Sequence, residues 1–424
     1  MNKQMKTIYF DYAASTPMDP RVLAAMNPYF SEKFGNPGAV HQFGQEASAA
    51  IFSARRRIAE SLGADYSNII FTGSATQANN LALRGVVKAY QKLQTSNVKR
   101  QTQRPRIIIS AFEHPSVLET ARDLEKAGAE LIVVPVNKAG LVNVQKIKSA
   151  LNKQTALVSV MYVNNEVGTI QPIAEIAKMI QEYRIQNIES RKKHAPKSYI
   201  LNPTFYPLLH TDAVQAFQYL NCRVDDLGVD LMTFSAHKIY GPKGIGALYI
   251  RNKQKVVSSK GNSTPILLPV ITGGGQEMGL HSGTENTPYI VGFAKTVELT
   301  ERLRKPEAQR ISKLRDYCWR QIKKIVPAAR INGFLKNRLP NNLNIYIPQK
   351  PSYELAVALD LKGVSVSPGE ACSARAIKPS PTLLAMGLGS ARALQSLRIT
   401  FGRPTNKKTV DFLIGALRDC FKLK

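Results

Sequence analysis

The sequence has little cysteine. Its four residues, Cys222, Cys318, Cys372 and Cys420, lie far apart and include no C-x-x-C pair. That spacing excludes a dithiol or zinc-ribbon pattern and suits a reducing compartment better than a disulfide framework. Long apolar runs are also missing. Patterned sequence begins at Thr7, which leaves no room for a signal peptide's apolar segment. Nothing approaches the roughly 20 apolar residues of a membrane helix. A cytoplasmic protein without a membrane partner is expected. Acidic residues are scarce as well: 30 Asp and Glu stand against 58 Lys and Arg, a net charge of +28. Such a balance favours an acidic partner, whether nucleic acid, carrier protein or anionic cofactor, and says nothing about fold. The basic clusters at 99–106, 191–197, 251–260 and 302–310 lack the interleaved aromatics of a single-strand groove, so they read as solvated loops, and a nucleic-acid partner is not favoured.

What is present is an ordinary globular composition, 44% hydrophobic and 21% charged, over 424 residues, enough for two or three domain-sized units. From about residue 69 the pattern alternates between short apolar runs and helical periodicity. Strands are expected at 69–71, 107–110, 130–136, 156–163, 208–211 and 230–235, and helices at 115–127, 144–151 and 173–183. This βαβ alternation predicts an α/β fold, a mostly parallel sheet with helices on both faces, with its ligand site at the carboxyl ends of the strands. A helix over 287–305 leads into a smaller α+β domain with a helix at 311–325, strands at 342–347 and 364–367, and a closing helix from Thr409. The division expected is an N-terminal segment 1–20, a large domain 21–303 and a small C-terminal domain 304–424. Two connections, 91–106 and 187–207, are overlong, polar and basic. No internal repeat is visible.

The stretch that organises the site is 229–250, VDLMTFSAHKIYGPKGIGALYI, where an apolar run delivers Ser235, His237 and Lys238 before a glycine turn and a second apolar run. A lysine in such company is either a surface residue of a hairpin or a desolvated amine suited to Schiff-base chemistry. Asp212 ends another apolar strand and needs a positive partner there, and Gln215 projects from the same turn. Ala75 and Thr76 open a helix directly after a strand, where free N–H groups can cradle a phosphate. His114 follows the strand 107–110, placed to stack on a flat cofactor or to move a proton. Asn165 closes another strand, placed either to donate to a phenolic oxygen or to form a turn. A strand-end lysine, a strand-end aspartate and a phosphate-binding helix terminus are together what pyridoxal phosphate requires.

The motifs YFDYAASTPMDPRV, FGNPGAVHQFG, NNEVGTIQPI, HTDAVQ, DLMTFSAHKIYGPKGIGALY, GGGQE, SGTEN, SVSPGEACSA and LRITFGRPT occur in this order from Tyr9 to about Arg403. In them the chain resembles the cysteine desulfurases, class-V aminotransferase-like enzymes of the fold-type I pyridoxal phosphate group. The resemblance implies a seven-stranded sheet and conversion of L-cysteine to L-alanine and an enzyme persulfide. It also assigns roles. Lys238 becomes the Schiff-base lysine, Asp212 the ring-nitrogen partner and His114 the stacking acid–base. Asn165 and Gln215 contact the ring oxygen. Ala75, Thr76, Ser235 and His237 hold the phosphate, with Thr284 from a neighbouring subunit of a homodimer. Asn36 and Arg398 bind the substrate, and Cys372 is the nucleophile. No metal site is implied, beyond a transient iron–sulfur contact at Cys372. The sulfur acceptor would be an iron–sulfur scaffold or a thiolation protein.

The chain departs from the family pattern at several points. It reads Gly73, Ser74, Ala75, Thr76 and Gln77 where the family has Ser-Gly-Ala-Thr-Glu, and Met278 and His281 where arginines are common. Around the nucleophile, Pro368 and Glu370 intervene. Glu370, two residues from Cys372, would raise its thiol pKa, whereas Arg375 and Lys378 would lower it. The chain also ends soon after its last expected helix, without the tail that longer members use on the scaffold. A selenocysteine lyase and a catalytically weakened basic interaction protein on the same fold are the alternatives.

Overall fold

The computed structural model describes residues 7–95, 104–194, 206–251, 255–257, 263–369 and 378–422. Cys372, Glu370 and Arg375 lie outside the described residues, as do 96–103 and 195–205 of the two basic loops.

Seven strands form the central sheet: β1 (Ile69–Thr72), β2 (Arg106–Ser110), β3 (Glu130–Val134), β4 (Thr155–Ser159), β5 (Leu208–Asp212), β6 (Leu231–Ser235) and β7 (Gly246–Ile250). Their order across the sheet is β1-β7-β6-β5-β4-β2-β3, and β7 alone runs antiparallel to its neighbours. The runs are too apolar to have one wet face. Alternate residues feed two cores: Ile69, Phe71, Ile108, Val158, Leu209, Met232 and Phe234 on one side, and Ile70, Ile107, Ile109, Leu157, Leu208 and Leu231 on the other. Helices α1 (Gln42–Leu62), α2 (Ala75–Thr95), α3 (Pro115–Lys126) and α4 (Ile173–His194) cover these faces. The expected mostly parallel sheet flanked by helices is what forms.

Because β7 is antiparallel, its first residue lies beside the last residues of β1 and β6: Gly246 pairs with Thr72 and with Ser235. A Cβ on Gly246 would meet the Ser74 carbonyl carbon at 2.6 Å and the Ala75 nitrogen at 2.7 Å. Glycine therefore lets the start of α2 settle directly on the ends of these strands.

The strand expected over 156–163 is regular only to Ser159, although Val160 and Tyr162 still donate to the carbonyls of His210 and Asp212 at 3.1 and 2.9 Å. Beyond them Asn164 turns the chain, its Oδ1 accepting from the N–H groups of Glu166 and Val167 at 2.9 Å each. The two helices expected at 287–305 and 311–325 are one, α5 (Thr287–Ile325), with Pro306 inside it. Proline removes one helical hydrogen bond. That loss is outweighed because α5 buries Ile290, Phe293 and Val297 in the large core and Ile311, Cys318 and Ile322 in a third apolar cluster.

This third cluster belongs to the small α+β region. There β8 (Arg330–Ile331), β9 (Asn342–Tyr346) and β10 (Ser396–Thr400) pair antiparallel, and α6 (Lys407–Lys422) closes the chain. The N-terminal strand Ile8–Tyr9 pairs in parallel with Val364–Ser365, and Phe10 is buried in the same cluster. The N-terminal segment is thereby pinned across the mouth of the large sheet.

Candidate active site

Lys238 follows β6 in a short 3-10 turn, and its Nζ donates to the carbonyls of Ala13 and Ala14 at 2.8 and 2.7 Å. Gln215 Nε2 donates to the same Ala13 carbonyl at 3.0 Å. The pinned N-terminal segment is thus one wall of the site, a role the sequence alone did not reveal. Asp212, buried at the end of β5, accepts from Val214 N–H at 3.0 Å and from Asn79 Nδ2 at 2.9 Å. Asn79, fully buried in α2, also donates to Ser116 Oγ at 2.8 Å, and Ser116 meets His114 Nδ1 at 2.8 Å. An unbroken chain of hydrogen bonds therefore joins Asp212 to His114. The Ser116 N–H donates to His114 Nδ1 at 3.1 Å as the cap of α3, which leaves the ring proton on Nε2. Burial holds the His114 pKa below the usual imidazole range, with Asp212 pulling the other way and Lys238 adding to the depression.

At the start of α2, Ser74 caps the helix by accepting from the Gln77 N–H at 3.2 Å. Ala75 and Thr76 are left in the first turn, where N–H groups have no intrahelical acceptor. His237 touches Ser15 Oγ at 3.4 Å, and burial, reinforced by Lys238 and Lys243, pushes its pKa down to about 4. Ser235 Oγ donates at 3.4 Å to the Ile245 carbonyl across the hairpin. Thr284, exposed, lines a cavity of about 260 Å³ with Thr72, Gly73, Gln77 and His281.

Arg398, on β10, is 2% exposed. Its Nη1 donates to the Asn165 carbonyl at 3.1 Å and its Nη2 to Asp11 Oδ1 at 2.9 Å, while Nε has no partner. A buried guanidinium with an unused donor suits a further carboxylate. Asn36 is engaged elsewhere, in an exposed turn where Oδ1 accepts from the Gly38 N–H at 2.9 Å.

Known proteins match the chain over most of its length. The class-V aminotransferase family matches residues 8–187 and 206–413. A curated cysteine desulfurase IscS of Dictyoglomus turgidum is 40% identical over 412 residues, covering 97% of this chain and 94% of its own. Among solved structures, a NifS-like protein superposes with a TM-score of 0.83 at 32% identity, over 99% of this chain and 100% of its own. The chain belongs to the cysteine desulfurases of the class-V aminotransferase family. A further relative, SspA, solved in complex with cysteine, is 34% identical with a TM-score of 0.74, covering 93% of this chain and 99% of its own.

Pyridoxal phosphate is the cofactor of this desulfurase family, and the residues present fit it. A buried carboxylate, an amine and a helix terminus with free N–H groups surround the strand ends, and Gly246 keeps that terminus close. The sequence reading missed three supports: Asp11 behind Arg398, Asn79 between Asp212 and His114, and the Ala13 and Ala14 carbonyls beneath Lys238. Asp11, Ala13 and Ala14 belong to the motif YFDYAASTPMDPRV, and Asn79 to TGSATQANN, so the signal was present without an assigned role. Among the described residues Cys222, Cys318 and Cys420 are buried free thiols. Burial pushes Cys222 up to about 12, and raises the other two as well.

Proposed function

We propose that the chain converts L-cysteine to L-alanine and carries the sulfur as a persulfide on Cys372 to an acceptor protein. One observation supports this most: described residues on either side of the segment that carries Cys372 are tied to the site. Ser367 and Arg398 exchange backbone hydrogen bonds of 3.1 and 2.8 Å. On the far side, Ser380 Oγ donates to Glu166 Oε2 at 2.6 Å, next to Asn165. Cys372 follows Ser367 by five positions, a reach of up to about 17 Å.

When bound, the cofactor supplies an electron-withdrawing ring that takes up charge from the substrate's α-carbon. Asp212 would keep the ring nitrogen protonated, His114 would face the ring, and Asn165 and Gln215 would serve its phenolic oxygen. Ala75, Thr76, Ser235 and His237 would hold the phosphate, with Thr284 supplied by a neighbouring subunit. Lys238 would hold the cofactor through its amine, and the same amine would take the α-proton of the substrate. Arg398 would grip the substrate carboxylate. The Cys372 thiolate then attacks the substrate sulfur: an S–S bond forms, the C–S bond breaks, and its electron pair passes to the carbon that is protonated to give alanine.

A homodimer is supported by the exposed apolar surface of the N-terminal third, where Phe30, Phe34, Val40, Phe43 and Phe52 are 49 to 89% exposed. The net charge of +28 favours an acidic acceptor, an iron–sulfur scaffold or a thiolation protein. Unpaired buried thiols are in keeping with the reducing cytoplasm, and among the described residues no helix is long and apolar enough to cross a membrane. Supplied with pyridoxal phosphate, reductant and L-cysteine, the protein is expected to release alanine and sulfide in equal amounts. Cys372→Ala is expected to keep the cofactor's absorbance and lose sulfide release; undiminished release would remove Cys372 as nucleophile.

A further inference from the structure

The loop 271–284, which carries Thr284, is fastened to the large sheet at two places. The inner fastening is buried. Arg55 forms a two-pronged ion pair with Glu277 at 2.6 and 2.7 Å, and Glu277 Oε2 also accepts from the Phe71 N–H of β1 at 2.8 Å. Around it Glu277 and Met278 take positive φ values of 49° and 60°, a left-handed turn that the buried pair holds in place.

The outer fastening joins two of the positions at which this chain departs from the family pattern. Gln77 Oε1 accepts from the Gly73 N–H at 2.7 Å and lies 3.2 Å from His281 Nε2. A backbone N–H can only donate, so the atom it meets must be the amide oxygen of Gln77. His281 Nε2 must then donate its proton to that same oxygen. Where the resemblance expects a glutamate and an arginine, the chain has exchanged both at once. Each partner loses its charge, and the direction of the hydrogen bond is kept.

We propose that Gln77 and His281 are positioning residues for the cofactor phosphate, an uncharged latch in place of an ion pair. By holding Gly73 and His281 on one oxygen, Gln77 sets the turn that presents the Ala75 and Thr76 N–H groups. The same bond fixes His281 in the loop that bears Thr284, three positions further on. Neither residue touches the ring or the reacting atoms. The proposal rests on the cofactor reading above and concerns the phosphate alone.

The test compares equilibrium binding of pyridoxal phosphate and of pyridoxal, which lacks the phosphate, to the full-length apoprotein. Gln77→Met and His281→Phe are each expected to weaken pyridoxal phosphate binding at least threefold and to leave pyridoxal within twofold of the parent. Combining the two should cost no more than either alone, because they break one bond. The ion-pair exchange Gln77→Glu with His281→Arg should bind pyridoxal phosphate within twofold of the parent. Gln77 is exposed and His281 half-buried, so the fold should tolerate both changes, and circular dichroism verifies it. If one variant fails to fold, the other with the exchange variant decides. Unchanged pyridoxal phosphate affinity, or equal losses for the two ligands, would overturn the latch and leave the cofactor reading standing. A parent protein that binds neither ligand would overturn both.

Discussion

Arg398 and Asp11 stand 387 positions apart in the chain and 2.9 Å apart in the structure. Arg398 could be singled out from the sequence by its family motif. Asp11 could not, because the carboxylate's task depends on a partner from the opposite end of the chain. The same holds for the Ala13 carbonyl, 225 positions from Lys238. What was legible were charged groups ending apolar runs, the buried Asp212 and the half-buried Lys238, whose setting is implied by their immediate neighbours. Asp11→Asn weakens the hold on Arg398 Nη2, and KM for L-cysteine is expected to rise about tenfold, on the order of 1.4 kcal/mol, with kcat less affected. A fall in kcat at constant KM would show that Asp11 acts elsewhere. Glu113 gives a second prediction at this scale. Burial pushes its carboxyl up to about 8, against hydrogen bonds from Ser110 and the Met161 N–H, with Asp212 adding to the rise. The native protein keeps this proton above the usual carboxylate range while the unfolded chain releases it. Stability is therefore lost as pH rises toward 8. Between pH 5 and 8 the thermal midpoint of Glu113→Gln should fall less than that of the parent; parallel curves would exclude Glu113 as the group responsible.

Strands and helices were legible wherever burial follows the local period. All seven sheet strands coincide with apolar runs, and the glycine turn before Gly246 marks the reversal into β7. The continuity of α5 was not legible, since Pro306 is a breaker by local rules and the compensating contacts belong to two separate cores. An exposed proline inside a helix leaves a carbonyl one turn back without its partner. Pro306→Ala is accordingly expected to stabilise the protein by about 1 kcal/mol or more, read from its denaturation midpoint. A loss of stability would show instead that the proline sets the angle between the two packed ends of the helix.

At the scale of the whole molecule, the large sheet carries Asp212 and Lys238 and the small region carries Arg398 and Ser367, five positions before Cys372, with the N-terminal segment bridging them. This division was visible in the sequence as a change from βαβ alternation to mixed elements. The bridging role of residues 8–16 was not visible, because a two-residue strand carries no period. The central claim is that sulfur leaves cysteine at the Lys238 site and lands on Cys372. Its most direct test is mass spectrometry of the protein after brief exposure to L-cysteine without reductant. The account predicts one added sulfur atom on the peptide containing Cys372, none on those containing Cys222, Cys318 or Cys420, and none anywhere in Lys238→Ala. Alanine formation with no sulfur on Cys372, or with sulfur on another cysteine, would contradict it.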